Sequence, residues 1–155
     1  NIVLNFLPSV LNYLNINLDN TNQIVAGASM GGLMSMKTSI LFPQFRNIIS
    51  LSPAFWFGYP SVLHDIKNLS NESSTYLYTG KKEGHIFGDH VKNIFPNNWD
   101  LDFSNNDDFY YSGVKNIKDS FDSNNKKVIF SFQDNGRHNE TSWATAILEI
   151  LGKLI

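Results

Sequence analysis

No cysteine occurs among the 155 residues. That excludes a disulfide framework and a thiolate metal site, and it leaves the redox compartment open. No apolar run is long enough to span a bilayer. No secretory leader is visible in the residues present, and nothing in the sequence assigns a compartment. Charge is sparse as well: Lys and Arg total 12, Asp and Glu 14, for a net charge of −2, and no basic cluster occurs. Neither a nucleic-acid nor a membrane partner is therefore expected, because such binding rests on clustered cations. Internal repeats and obvious linkers are absent too. What remains is 42% hydrophobic and 17% charged, the balance of one folded domain with a real core.

Helix and strand patterns alternate along the chain. "NIVLNFLPSVLNYLNI" has helical spacing, with Pro8 read as a kink or restart. "QIVAGA" reads as a short buried strand, and "MGGLMSMKTSILF" as a helix that ends before Pro43. A second strand is expected over 47–52, stopped by Pro53, then a helix in "PSVLHDIKNL" and a third strand in "STYLYTG". Residues 85 to 111 are aromatic and irregular, with a helical turn or two near Val91. "SGVKNIKDSFDSN" reads as a helix, "KKVIFSFQ" as a fourth strand, and "NETSWATAILEILGKLI" as a final helix capped by Asn139 or Thr141. Strands separated by helices point to an α/β fold with a parallel sheet and flanking helices.

The chemistry concentrates at residues 27–31, Gly-Ala-Ser-Met-Gly, which fit G-x-S-x-G. A serine hydroxyl is a weak nucleophile unless it is held out beside a base. A sharp strand-to-helix turn does that, and the flanking glycines, Gly27 and Gly31, leave room for it. Such a turn also aims the Met30 amide, with that of Gly31, at a developing oxyanion. The pentapeptide arises by chance in roughly one chain of this length in twenty. The apolar strand directly before it and the helix directly after it make the match specific. The competing reading of Ser29 is a small residue in a packed glycine-rich turn.

A base and an orienting acid are then required. Of His64, His85, His90 and His138, only His138 lies between the fourth strand and the last helix, where ligands meet the carboxyl ends of parallel strands. The acid should follow the third strand, where Glu83 stands three residues past Gly80. A carboxylate there fixes the imidazole tautomer. Asp89 and Asp134 are its rivals, and a solvated loop glutamate is the alternative reading. His85 and His90, with Asp89, Asp100 and Asp102, match no metal-ligand spacing.

Four ordered blocks, "IVAGASMGGLMSM", "FPQFRNIISLSPAFWF", "YLYTGKKEG" and "GRHNETSW", resemble the esterase D, or enterochelin-esterase-like, branch of the α/β-hydrolases. The resemblance runs over nearly the whole chain. It implies an α/β-hydrolase fold with Ser29 as nucleophile, His138 as general base and Glu83 at the acid position. It also implies a small-molecule ester as substrate, no metal or organic cofactor, and hydrolysis or, in a few members, acyl transfer to an alcohol. Phe55 and Trp56 leave the second strand toward the same rim and read equally as substrate-pocket or core residues. Trp143 is expected to buttress the histidine loop, and residues 85 to 111 to form a lid or part of the acyl pocket.

The chain departs from the family in two ways. Thr79, with Tyr78 before it, stands where relatives often carry an aspartate. One helix and one strand precede Ser29, where the family has several strands, one of whose loops supplies a second oxyanion donor. Losing such a donor costs about 10²- to 10³-fold in rate. The expectation is therefore the C-terminal portion of a longer hydrolase, weakly active or inactive alone. Residues 23 to 28 should form an exposed apolar edge that invites self-association. A sheet of seven or eight strands would overturn that expectation, and an inactive binding domain is the rival to catalysis.

Overall fold

The computed structural model describes residues 6–14, 23–95 and 101–154. Four strands, β1 (Gln23–Ala28), β2 (Phe45–Leu51), β3 (Ser74–Gly80) and β4 (Lys127–Gln133), form one parallel sheet in the order β1-β2-β3-β4. Among the described residues six α-helices accompany them: α1 (Leu7–Tyr13), α2 (Met30–Leu41), α3 (Ser61–Asp65), α4 (Val91–Ile94), α5 (Asn106–Ser123) and α6 (Glu140–Leu154).

The sheet grows in one direction, and right-handed crossovers then place every connecting helix on the same face. The packing follows. Leu33 and Met36 of α2, Val62 of α3 and Phe109, Val114, Ile117 and Phe121 of α5 bury against Ile48 and Leu77. Side chains alternate along a strand, so Ile49, Leu51, Tyr76 and Tyr78 face the other way. There they meet Ala146 and Ile150 of α6.

Local chemistry sets the ends of the elements. Phe42 precedes Pro43 and leaves helical geometry at φ −134°, as the proline ring requires, while its N–H closes α2 on the Thr38 carbonyl. Pro8 sits in the first turn of α1, where a missing N–H costs nothing. Residues 1–5 and 15–16 of the expected helix lie outside the described residues. The helix expected from Ser112 begins six residues earlier. Asn105 caps α5 by accepting from Asp108 N–H at 3.0 Å, and Asp107 and Asp108 complement the helix dipole. The aromatic run there had hidden the helical period. In the rest of that irregular segment, Phe87, Phe95 and Phe103 pack on Phe109. These rings join the core, while Ile86 and Ile94 are exposed and residues 96–100 lie outside the described residues.

β1 pairs only with β2 among the described residues, and Ile24 is 44% exposed on it. No helix among the described residues is long and apolar enough to cross a membrane.

Candidate active site

Ser29 follows β1 without a spacer and caps α2. Its backbone stands at φ 56°, ψ −120°, a conformation that costs a non-glycine residue about 1–3 kcal/mol. Three bonds hold it there. Ser29 N–H donates to Leu51 O at 2.9 Å, and the Ser29 carbonyl accepts from Leu33 N–H at 3.2 Å and Ala54 N–H at 3.0 Å. The two flanking glycines differ in what they do. A Cβ on Gly27 would lie 2.3 Å from the Gly31 backbone, whereas one on Gly31 would meet nothing within 4 Å. Room at the turn is therefore made by Gly27, and Gly31 fills it. Since α2 bonding begins with Leu33, the N–H groups of Met30 and Gly31 precede any intrahelical acceptor. They lie at the positive end of the helix dipole.

Glu83 leaves β3 three residues after Gly80, and its side chain is fully buried. Oε1 accepts from Ser52 Oγ at 2.7 Å and from the Gly80 N–H. Oε2 lies 2.9 Å from His138 Nδ1. Such donors are what a buried carboxylate needs, since an unpaired one is costly. The Glu83 loop and the His138 loop are joined by backbone bonds, Lys81 N–H to Gln133 O at 3.0 Å and Lys82 N–H to Gly136 O at 2.9 Å. A Cβ on Gly80 would come 2.2 Å from the Gly136 oxygen, so that joint needs a glycine. Asn139 caps α6 by accepting from Ser142 N–H at 3.0 Å and so fixes the exit of the histidine loop.

His138 Nε2 lies 2.9 Å from Ser29 Oγ. Carboxylate, imidazole and hydroxyl thus form one continuous hydrogen-bonded line. The imidazole is walled by Trp143, edge-on with centroids 4.9 Å apart, and by Tyr110 at 5.3 Å. Burial, and then the charge of Glu83, push the Tyr110 phenol well above its ordinary value. The same causes in the same order push Tyr78 up to about 12. Both phenols therefore stay protonated: Tyr110 donates to Ser52 O at 2.7 Å and Tyr78 to Gln133 Oε1 at 3.1 Å.

Other residues singled out in the sequence lie elsewhere. Phe55 is fully buried against Trp56, Tyr59, Phe109 and Tyr110. Its ring fills the space left by the missing side chain of Gly113, so in the described residues it packs as core. Trp56 is half-buried, edge-on to Phe87 and Tyr110. Asp134 is exposed and pairs with Lys81, and Asp89 accepts from His90 N–H and Asn93 Nδ2. His85 contacts the Lys82 carbonyl, and His90 caps α4. Asp100 lies outside the described residues, among which no three metal-ligating side chains are grouped to hold an ion. Sequence reasoning missed Ser52, read only as a strand end, and Tyr110, lost in the aromatic run.

No family model and no curated protein matches this chain. Solved structures do. The enterobactin esterase of Shigella flexneri superposes with a TM-score of 0.67 at 17% identity, over 96% of this chain and 34% of that one. A ferulic acid esterase superposes with a TM-score of 0.69 at 13% identity, over 97% and 57%. The capsule O-acetyltransferase of Neisseria meningitidis serogroup A gives 0.61 at 11% identity, over 97% and 63%. At these identities the likeness is one of fold: a parallel α/β sheet with flanking helices shared with these esterases and the acetyltransferase. The chain spans about a third of the length of the first of these proteins and just over half of the second.

Proposed function

We propose that this chain carries the active site of a serine carboxylic-ester hydrolase. One observation carries the reading: His138 stands 2.9 Å from both Ser29 Oγ and Glu83 Oε2, on its two opposite ring nitrogens. A solvated loop histidine would have no reason to bridge two residues so far apart in sequence.

The steps follow from that line. Ser29 Oγ attacks the ester carbonyl while its proton passes to His138 Nε2. Glu83 Oε2, holding Nδ1–H, stabilises the imidazolium that forms. Charge developing on the carbonyl oxygen is met by the N–H groups of Met30 and Gly31 at the start of α2. The tetrahedral intermediate collapses, and the leaving alcohol takes the proton from Nε2. Water then attacks the acyl-enzyme, giving a proton to Nε2. The second collapse returns that proton to Ser29 and frees the acid. Trp56 lines the wall beside Tyr110 in this reading, and no cofactor enters any step.

The same acyl-enzyme transfers its acyl group to an alcohol when water is excluded, and the O-acetyltransferase of the same fold favours keeping this second reading. The proposal also takes these residues as the C-terminal portion of a longer hydrolase whose further strands would pair with the open edge of β1. Hydrolysis of p-nitrophenyl acetate, with Ser29→Ala as control, tests the proposal. Removal of the nucleophile should lower turnover by at least about 10⁴-fold. Equal rates from the folded wild type and the variant would leave either an incomplete hydrolase that needs its further strands or a binding domain of hydrolase shape. A transferred ester formed in added glycerol would mark the acyltransferase.

A further inference from the structure

The proposed chemistry leaves one polar side chain of the site without a task. Ser52 directly follows β2, is fully buried, and stands at φ 43°. A serine there is strained where glycine would fit freely, and such strain persists only where the surroundings over-determine it. Every polar group of Ser52 is engaged. Its N–H donates to Tyr78 O at 2.7 Å, and its carbonyl accepts from Tyr110 Oη at 2.7 Å. Its hydroxyl contacts Trp143 Nε1 at 2.9 Å and Glu83 Oε1 at 2.7 Å.

The direction of the last two bonds is forced. An indole N–H can only donate. The Ser52 oxygen therefore accepts from Trp143, and its own proton goes to Glu83. Gly80 N–H donates to the same Oε1, which is thereby an acceptor twice over. With Oε1 held, the carboxylate plane is set and Oε2 faces His138 Nδ1. An acceptor at that position assigns the ring proton to Nδ1, and the Nε2 lone pair then faces the Ser29 hydroxyl. The same hydroxyl anchors Trp143, whose ring packs edge-on against the imidazole.

We propose that Ser52 is a positioning residue of this site: its hydroxyl orients Glu83 and Trp143 together and so selects the His138 tautomer that faces Ser29. The inference rests on the serine-esterase reading. Ser52 touches no reacting atom and acts through the carboxylate.

The test uses the 155-residue chain and a readout that needs no turnover. Nitrogen-15 shifts of the His138 ring report its tautomer. The wild type should show the Nδ1–H form alone. Ser52→Gly removes the hydroxyl and relieves the backbone strain, and Ser52→Ala removes the hydroxyl and keeps the strain. Both should show mixed tautomers. Both should also react with a fluorophosphonate about 10- to 100-fold more slowly, the scale of one hydrogen bond to a charged group. For p-nitrophenyl acetate, kcat should fall by the same factor, with KM within about twofold. Trp143→Phe keeps an aromatic ring beside the imidazole and loses the donor, so it should shift the tautomer in the same direction by less. If neither serine variant folds, Trp143→Phe decides alone. Ring nitrogen shifts identical to wild type in the folded variants would overturn the proposal. A wild type inert toward both reagents, yet with one tautomer that becomes mixed in Ser52→Gly, would count against esterase activity of this chain alone and leave the positioning role standing.

Discussion

Among the described residues, β1 and β4 lie at the edges of the sheet and β2 and β3 lie inside it, and the site divides along the same line. Ser29 follows edge strand β1 and His138 follows edge strand β4. Ser52 follows interior strand β2 and Glu83 follows interior strand β3, and both are fully buried. The side chains proposed to react therefore come from the edges, and those that hold them come from the middle. A reacting group needs access to substrate and room to exchange a proton. An orienting carboxylate needs a dry, fully bonded seat, and interior strands with neighbours on both sides supply one.

The comparison breaks most sharply at Glu83. In Glu83→Gln, Ser52 and Gly80 still donate to the side-chain oxygen, so the amide nitrogen turns toward His138. A donor there selects the wrong tautomer, and turnover should fall by about 10³- to 10⁴-fold with the thermal midpoint little changed. Equal loss of stability and activity would show that Glu83 matters to the fold alone.

Glycine substitutions sharpen the contrast next. Gly27 on β1 and Gly80 on β3 each abut a glycine backbone, and an added Cβ would come within 2.3 Å and 2.2 Å of it respectively. Alanine at either place should cost about 1–3 kcal/mol in urea unfolding. Gly31→Ala, with nothing within 4 Å, should be neutral or stabilising by up to about 1 kcal/mol. Gly80→Ala should also displace the histidine loop and disturb the ring-nitrogen signature of His138, because Gly136 sits against it. A destabilised Gly31→Ala would contradict this account of the turn.

The smallest effect is expected at the edge itself. Ile24→Lys adds a charge to a 44%-exposed position on β1. Stability should move by no more than about 0.5 kcal/mol, and any self-association through that edge should weaken in sedimentation velocity. Association unchanged by the charge would place the contact elsewhere.

Much of this was legible beforehand because its signals are local. A serine in G-x-S-x-G between an apolar strand and a helix needs only neighbouring residues to announce a sharp turn. The third strand is legible to the residue, since "STYLYTG" is bounded by a turn on one side and Gly80 on the other. Chain order read against the α/β-hydrolase pattern brings His138 forward as a partner of Ser29, and Glu83 with Asp89 and Asp134 as rivals. Other features resisted. The start of α5 was hidden because "DDFYY" spends its aromatic residues on two surfaces at once. That the Phe55 ring fills the space beside Gly113, 58 positions away, has no local signal at all.

The sequence by itself determined the alternation of strands and helices, the strained serine turn and the order of the three side chains along the chain. These depend on periodicity and on residues a few positions apart. Only the tertiary structure decided that they meet. β1 and β4 are three strand spacings apart, about 14 Å, so His138 has to lean back across the interior strands to reach Ser29. The glycine contact between Gly80 and Gly136 and the two backbone bonds beside it let the loop do so. Ser52 shows the same limit. Nothing near it in the chain marks it, because its partners Glu83, Tyr110 and Trp143 lie 31 to 91 residues away. A hydrogen bond at such separation exists only once the sheet has assembled.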